Sequence, residues 1–270
     1  MTEATTGRDI DGTAVEVSGE GPPVVLIHGL GLNRRMWQWQ VPVLEARYRV
    51  IRYDLLGHGE SAPPADPVAL ASFSEQLAAV LDRLGLERAA VLGFSLGGMI
   101  VRRFAMDHPG RATALGILNS AHGRTEAERD AIRLRVEQAA AEGPSATVDN
   151  ALTRWFTAAC AERSPELLDL VRTWVTANDP AVYPKIYKVL AEGDAEIADC
   201  LGAIDCPVLV MTGEEDYGNS PDMARRMADG LPRAELVILP GLRHMALAED
   251  PDQVNQVLLG FLDWALGADS

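Results

Sequence analysis

The sequence predicts an α/β fold in which one mostly parallel sheet is flanked by helices and interrupted by a helical insertion. Three observations lead to this prediction. Up to about residue 120, short apolar segments typical of strands alternate with segments of helical periodicity. Residues 121–200 contain almost no strand signal, and the alternation resumes after residue 200. Such alternation is typical of βαβ units, and a helical block between two strands of one sheet indicates an insertion.

The strands are predicted from short apolar runs bounded by turn residues. Alternating polar and apolar residues around Asp11 and Gly12 predict a hairpin at one edge of the sheet. The continuous apolar run at residues 23–28 is typical of a strand that is covered on both faces. Further strands are predicted at residues 48–54, 89–94, 114–119, 207–212 and 235–239.

The helices are predicted from apolar residues spaced three and four apart, as at Phe73, Leu77 and Leu84. Core helices are predicted at about residues 36–46, 72–84, 96–108, 221–230 and 251–266, and insertion helices at 125–141, 145–161 and 165–177. We therefore assign residues 1–120 and 201–270 to one core domain and residues 121–200 to a helical cap.

The composition disfavours several classes of protein. The chain has 270 residues, with 24 Lys and Arg against 39 Asp and Glu, and its net charge of −15 argues against nucleic acid or anionic membranes as partners. No apolar run approaches the ~18–20 residues needed to span a bilayer. Residues 1–12 lack the apolar centre of a secretory signal. Three cysteines without metal-ligand spacing indicate a reduced, cytoplasmic compartment, and no motif implies a metal or cofactor.

The strongest functional signal is the segment at residues 93–98, which reads G-F-S-L-G-G. It joins a predicted strand to a predicted helix, as a nucleophile elbow does. The glycines permit a tight turn that raises the Ser95 hydroxyl above the sheet. The backbone N–H of Leu96, at the start of the helix, is placed to stabilise an oxyanion.

A serine nucleophile needs a base that is oriented by an acid. Asp216 and His244 follow the last two predicted strands, so both are expected at the same sheet edge as Ser95. Glu214 and Glu215 lie in the same turn as Asp216 and remain alternatives to it. We predict that Ser95, Asp216 and His244 form a catalytic triad.

A second glycine-rich turn, H-G-L-G at residues 28–31, follows the first core strand. Glycines let the backbone approach a substrate closely, so the Leu30 N–H is the predicted second oxyanion donor beside that of Leu96. His28 is interpreted as a residue with a local hydrogen-bonding role and not as a base.

The motifs and their order resemble the α/β-hydrolase superfamily from about residue 10 to residue 266. The resemblance is carried by H-G-L-G at 28–31, D-L-L-G-H-G-E-S at 54–61, G-F-S-L-G-G at 93–98, G-E-E-D at 213–216 and His244. It implies the same triad and oxyanion hole, and a structural role for the turn at 54–61. R-Y-D at 52–54 and R-W-F-T at 154–157 are most similar to 3-oxoadipate enol-lactone hydrolases and small bacterial carboxylesterases.

The expected activity is hydrolysis of a small carboxylic ester or lactone, such as 3-oxoadipate enol-lactone, through an acyl-enzyme on Ser95. The alternatives are hydrolysis of a C–C bond in a dienoate ring-cleavage product by the same triad, and a non-catalytic ligand-binding role. The expected partner is therefore a small-molecule substrate, and the oligomeric state is not predicted.

Substrate contacts are expected from the cap, because a lid covers the site in such folds. A carboxylated lactone would need a cation inside the pocket, since the acidic chain offers an anion no long-range attraction. Arg133 and Lys185 are the candidates, with Lys188, Arg135 and Arg154 beside them; each can also be interpreted as a solvated helix residue. Three further candidate contacts are Trp37, Trp155 and His122.

Overall fold

The structure, a computed structural model, describes residues 5–267. Residues 1–4, part of the N-terminal segment in which no secretory signal was predicted, lie outside the described residues. The strands are β1 Thr5–Ile10, β2 Thr13–Ser18, β3 Pro23–Ile27, β4 Arg49–Tyr53, β5 Ala89–Phe94, β6 Ala112–Leu118, β7 Val208–Gly213 and β8 Ala234–Leu239. They form one eight-stranded sheet in the order β1-β2-β4-β3-β5-β6-β7-β8.

The sheet is mostly parallel, as predicted. Only the pairs β1–β2 and β2–β4 are antiparallel, and the strands from β4 across to β8 pair in parallel. The predicted hairpin joins β1 to β2. Its turn residues Asp11 and Gly12 have φ values of 52° and 82°, the left-handed conformations that two-residue hairpin turns require.

Helices outside the insertion are α1 Val41–Leu44, α2 Leu70–Arg83, α3 Leu96–Asp107, α9 Pro221–Gly230, α10 Ala246–Glu249 and α11 Pro251–Gly267. The prediction of one helix over residues 36–46 was wrong. A 3-10 turn at Arg34–Trp37 comes first, and α1 is a separate short helix with Pro42 in its first turn. Because proline lacks an N–H, it breaks a longer helix and is tolerated only at a helix start.

Between β6 and β7 the described chain forms five α-helices: α4 Glu126–Glu142, α5 Ser145–Trp155, α6 Ala158–Arg163, α7 Pro165–Thr176 and α8 Tyr183–Glu192. The helix predicted at 145–161 is divided, because Phe156 is extended and Thr157 caps a new helix by accepting a hydrogen bond from Cys160 N. Helix α8 was not predicted. The assignment of this segment to a separate cap stays a prediction.

Both faces of the sheet are buried. On β3, Val25 and Ile27 belong to the apolar cluster that includes α2 and α3, whereas Val24 and Leu26 belong to the cluster that includes α11. This arrangement explains the continuous apolar runs of the central strands. Within residues 5–267, no helix combines the length and the hydropathy needed to cross a bilayer.

Candidate active site

Ser95 occupies the tight turn between β5 and α3. Its backbone angles are φ 56° and ψ −111°, a conformation that non-glycine residues rarely adopt and that stores strain. The neighbouring glycines serve close packing. A Cβ atom on Gly97 would lie 2.5 Å from the carbonyl oxygen of Ile27, and one on Gly93 would overlap the Gly97 carbonyl. The strain is therefore at the serine, and the glycines make room for the turn.

The predicted acid and base are paired at the carboxyl edge of the sheet. Asp216 follows β7, His244 follows β8, and His244 Nδ1 lies 2.7 Å from Asp216 Oδ2. Because an ionised carboxylate only accepts hydrogen bonds, this contact puts the imidazole proton on Nδ1 and leaves Nε2 free as a base. No hydrogen bond joins Ser95 to His244 within the described chain, but both side chains line one cavity.

The Asp216 carboxylate is held on both oxygens. Oδ1 accepts hydrogen bonds from the backbone N–H groups of Gly218 at 3.1 Å and Asn219 at 3.0 Å. Oδ2 accepts from the side-chain amide of Asn119 at 3.1 Å, in addition to its contact with His244. These partners satisfy the hydrogen-bonding capacity of the buried carboxylate and fix its orientation.

The two alternative acids point elsewhere. Glu214 accepts a hydrogen bond from the backbone N–H of Gly241, and Glu215 forms an ion pair with Arg243 at 3.3 Å. Neither contacts His244, so the geometry favours Asp216 as the orienting acid.

The predicted oxyanion donors flank the serine. A Cβ atom on Gly29 would lie 3.1 Å from Ser95 Cβ, so the loop carrying Leu30 passes directly beside the nucleophile. The Leu96 N–H begins α3 on the other side. Neither amide takes part in the loop and turn hydrogen bonds of residues 5–267, and both are therefore free to donate to an oxyanion.

Two buried histidines anchor the oxyanion loop. His58 Nε2 accepts a hydrogen bond from Gly31 N–H, and His28 Nε2 accepts one from Leu55 N–H. Burial lowers the pKa of His28 to about 4 and, with the adjacent His28, lowers that of His58 to about 3. Both rings are thus neutral acceptors near pH 7, which agrees with a local hydrogen-bonding role for His28.

Ser95 and His244 open onto one cavity of about 90 Å³ beneath the insertion helices. Its remaining lining residues come from three groups. The core contributes Gly29, Leu30, Leu32, Phe94, Asp216, Gly218, Asn219 and Met245, and the insertion contributes the apolar and hydroxyl residues Ile132, Thr147, Ala151, Trp155, Val175, Tyr183, Tyr187 and Leu190. The third group consists of arginines: Arg124, Arg135 and Arg154.

Trp155 is the one predicted aromatic contact that lines this cavity. Its ring centre lies 5.8 Å from that of His244. Trp37 is fully buried in the apolar cluster on the α11 face of the sheet. His122 does not line the cavity; its carbonyl accepts a hydrogen bond from Arg226.

The structure does not bring the two main cation candidates to the cavity. Arg133 forms ion pairs with Glu126 and Asp130 on the exposed face of α4. Lys185 is exposed and pairs with Asp66 at 2.6 Å. The expectation that these two residues contact a substrate was therefore wrong.

Helix geometry explains which residue of α4 faces the cavity. The buried residues of this helix are Ile132 and Ala139. Arg135 is three residues after Ile132 and four before Ala139, so it shares their face, whereas Arg133 does not. The 3.6-residue period could have distinguished the two arginines from sequence.

Several lining residues were missed by sequence reasoning. Arg124 precedes α4, and Tyr183 and Tyr187 lie one turn apart on α8, which was itself not predicted. Asn119 was not among the predicted site residues, whereas the structure shows it donating to the proposed acid. A polar residue directly after β6, level with the turn after β7, is the signal that could have pointed to it.

The fold carries a strained serine between a strand and a helix, as the nucleophile elbow of α/β hydrolases does. The model of the family described as the alpha/beta hydrolase fold matches residues 22–251, and the chain belongs to this family. It is a hydrolytic enzyme, and the resemblance inferred from its motifs is confirmed.

Named relatives include two hydrolases of Acinetobacter baylyi. The chain is 30% identical to (E)-2-((N-methylformamido)methylene)succinate hydrolase over 245 residues, covering 91% of this chain and 92% of the relative. It is 28% identical to 3-oxoadipate enol-lactonase 2, covering 88% of this chain and 87% of the relative.

Solved structures with a similar fold include an enol-lactonase and an esterase. An enol-lactonase from Burkholderia xenovorans LB400 has a TM-score of 0.87 and 28% identity, with 95% of this chain and 99% of that chain covered. A thermophilic esterase from Thermogutta terrifontis, described as malate bound, has a TM-score of 0.86 and 28% identity, with 94% of this chain and 93% of that chain covered.

Proposed function

We propose that this protein is a serine hydrolase that cleaves a small carboxylic ester or lactone through an acyl-enzyme on Ser95. The observation that carries the proposal is the shared cavity: Ser95, on its strained turn, and the buried pair of His244 and Asp216 line the same enclosed space. The free amides of Leu30 and Leu96 beside Ser95 complete the arrangement needed for acyl transfer.

In the first half of the reaction, Ser95 Oγ attacks the substrate carbonyl carbon and gives its proton to His244 Nε2. The carbonyl oxygen becomes an oxyanion, which accepts hydrogen bonds from the Leu30 and Leu96 amides. Asp216 stabilises the imidazolium through Nδ1. The C–O bond of the ester then breaks, and His244 protonates the departing oxygen. In a lactone, that oxygen stays attached to the acyl group as an alcohol or enol.

In the second half, water attacks the acyl carbon of the Ser95 ester. His244 takes a proton from the water and returns one to Ser95 Oγ as the acyl–enzyme bond breaks. The product is a carboxylic acid, and the enzyme is regenerated. The named activities of the enol-lactonase and esterase relatives support this bond type.

Replacement of Ser95 tests the proposal. Ser95→Ala is expected to lower turnover of p-nitrophenyl acetate by about 10⁴-fold or more while the thermal unfolding temperature stays unchanged. The matched control is Ser145→Ala, an exposed serine outside the cavity, which should retain full activity. Undiminished activity in Ser95→Ala would disprove the proposal.

Covalent labelling separates this function from the alternatives. A fluorophosphonate probe should label Ser95 in the native protein and leave both Ser95→Ala and His244→Ala unlabelled; absence of labelling would favour a non-catalytic binding role. A panel of enol-lactones, simple esters and dienoates then distinguishes C–O from C–C bond cleavage, and exclusive turnover of dienoates would overturn the ester assignment.

The expected partner is the small-molecule substrate, and the expected compartment is the cytoplasm. The state of the cysteines supports this location: Cys160, Cys200 and Cys206 are all free thiols.

A further inference from the structure

Three arginine side chains line the proposed catalytic cavity, and none of them forms an ion pair within residues 5–267. The first, Arg124, lies just before α4. Arg135 lies on α4, and Arg154 lies near the end of α5. Asp216 is the one acidic residue that lines this cavity in the described part of the chain, and it is already engaged by His244. The wall facing the reacting atoms therefore carries an excess of positive charge.

The hydrogen-bonding capacity of these arginines is largely unused. Within residues 5–267, the Arg154 side chain forms no hydrogen bond and no ion pair, and Arg135 donates from Nε to the Tyr187 hydroxyl at 3.1 Å without an ion pair. Arg124 donates to the Leu190 carbonyl at 2.7 Å, but its buried Nε has no acceptor. Buried donors without acceptors are costly in a folded protein.

The positive charges also repel one another. Burial, and next the charge of Arg135, lower the pKa of Arg154. Burial lowers that of Arg124, with Asp194 acting in the opposite direction and Arg135 in the same one. Elsewhere in the chain, arginines such as Arg133 and Arg172 sit beside carboxylates. Three neighbouring guanidinium groups without a direct ion pair in residues 5–267 are complementary to an anion that arrives from solution.

The position of the arginines suits a bound substrate. Arg135, Thr147 and Arg154 line both the catalytic cavity and an adjoining cleft at the surface of α4 and α5. Arg154 also directly precedes Trp155, whose ring contacts His244. An anion held by these residues would occupy the cavity that Ser95 and His244 also line.

We infer that Arg124, Arg135 and Arg154 form a carboxylate-binding site, and that the enzyme prefers esters or lactones bearing a free carboxylate. This inference rests on the proposed serine hydrolase function, whose substrate class it defines. The planar guanidinium presents paired N–H donors that match a carboxylate, and in a partly enclosed site such charge-assisted bonds are strong. With an overall charge of −15, only these local cations attract the substrate anion.

The substrate preference is tested with two esters of the same shape. Monomethyl succinate carries a carboxylate where methyl 4-oxopentanoate carries an acetyl group. The native enzyme should have a higher kcat/KM for monomethyl succinate. Arg154→Gln and Arg135→Gln should each lower that value by about ten- to a hundredfold, with little change for the neutral ester.

Arg133→Gln is the matched control, because Arg133 lies on the same helix as Arg135 but on its solvent face. It should leave both kcat/KM values unchanged. A native enzyme without preference for the anionic ester, or an equal effect of Arg133→Gln and Arg135→Gln, would overturn the inference.

A binding measurement gives a readout that does not depend on activity. Millimolar succinate should raise the thermal unfolding temperature of Ser95→Ala, and Arg154→Gln added to that variant should remove the effect. Neutral succinamide should have no effect, and a larger shift with inorganic phosphate than with succinate would overturn the carboxylate assignment. If the native enzyme turns over no ester while succinate still raises the unfolding temperature, the hydrolase function alone is disproved; if the native enzyme turns over esters but succinate has no effect, the anion site alone is disproved.

Discussion

The side-chain amide of Asn119 donates a 3.1 Å hydrogen bond to Asp216 Oδ2, the oxygen that also contacts His244 Nδ1. Asn119 directly follows β6, has a positive φ of 48°, and is fully buried. The strand that precedes the acid's own strand in the sheet thus supplies a group that orients the acid. The proposed triad is in this way extended by a fourth side chain.

Removal of this amide should weaken catalysis more than folding. Asn119→Ala is expected to lower kcat by about tenfold or more while KM changes little, because a hydrogen bond to a charged acid is lost within the catalytic unit. Steady-state kinetics with p-nitrophenyl acetate measure the effect. Asn255→Ala, which removes another buried amide that donates to the Trp39 carbonyl, is the control. An equal loss of kcat in both variants would indicate a merely structural role for Asn119.

The buried histidines should make folding stability depend on pH. In the folded protein the pKa values of His28 and His58 are about 4 and about 3, whereas an unfolded histidine titrates near ~6.5. Below this value the unfolded chain binds more protons, so the free energy of unfolding falls as pH decreases. Each histidine contributes a slope of up to ~1.4 kcal/mol per pH unit between about pH 6 and pH 4.

His58→Gln tests this dependence. Glutamine keeps an oxygen that can accept the Gly31 N–H but has no titrating group in this range. Urea unfolding at several pH values should show a smaller slope for the variant than for the native protein. If both slopes agree between pH 6 and pH 4, His58 does not provide the expected linkage.

Two glycines should respond in opposite ways to an added methyl group. In Gly97→Ala the new Cβ would lie 2.5 Å from the Ile27 carbonyl oxygen, so the elbow must shift and activity should be lost. Gly260 lies on the exposed face of α11 with no atom within 4 Å of the added Cβ. Gly260→Ala should stabilise the protein by roughly 0.5–1 kcal/mol without changing activity. Denaturant unfolding and esterase assays check both, and a stable, active Gly97→Ala would contradict the packing argument.

Arg34 should be essential to the turn that carries His58. Its guanidinium forms ion pairs with the fully buried Asp54 and with Glu16 and Glu60. Arg34→Met would leave the Asp54 charge buried without its cation and should cost about 3–5 kcal/mol of stability. Arg47→Met, which removes an exposed ion pair with Asp263, should have little effect. Chemical denaturation of the two variants makes the comparison, and similar small losses would show that the Asp54 network contributes little.

Local sequence was sufficient for the fold class and for placing the proposed reacting groups at one edge of the sheet. The elbow at Ser95 and the turns that contain Asp216 and His244 each follow a strand whose apolar pattern is unambiguous. Because parallel strands end at one edge, the order of these motifs alone predicts that they meet. The helix boundaries were predicted less accurately where a proline or an unrecognised cap divided a segment, as at Pro42 and Thr157.

The tertiary structure decided which charges line the candidate cavity. Sequence identified Arg133, Arg135, Arg154 and Lys185 as comparable cations, and the packing of α4 and α5 over the core brings Arg135 and Arg154 to the cavity. Arg124 and Asn119 acquire their roles from contacts across the chain, with Leu190 and with Asp216. The period of a helix or strand determines which of its side chains share a face. Contacts between side chains of different elements depend on how those elements pack. The local motifs thus indicate the proposed chemistry, whereas the assembled cavity indicates the charge of the proposed substrate.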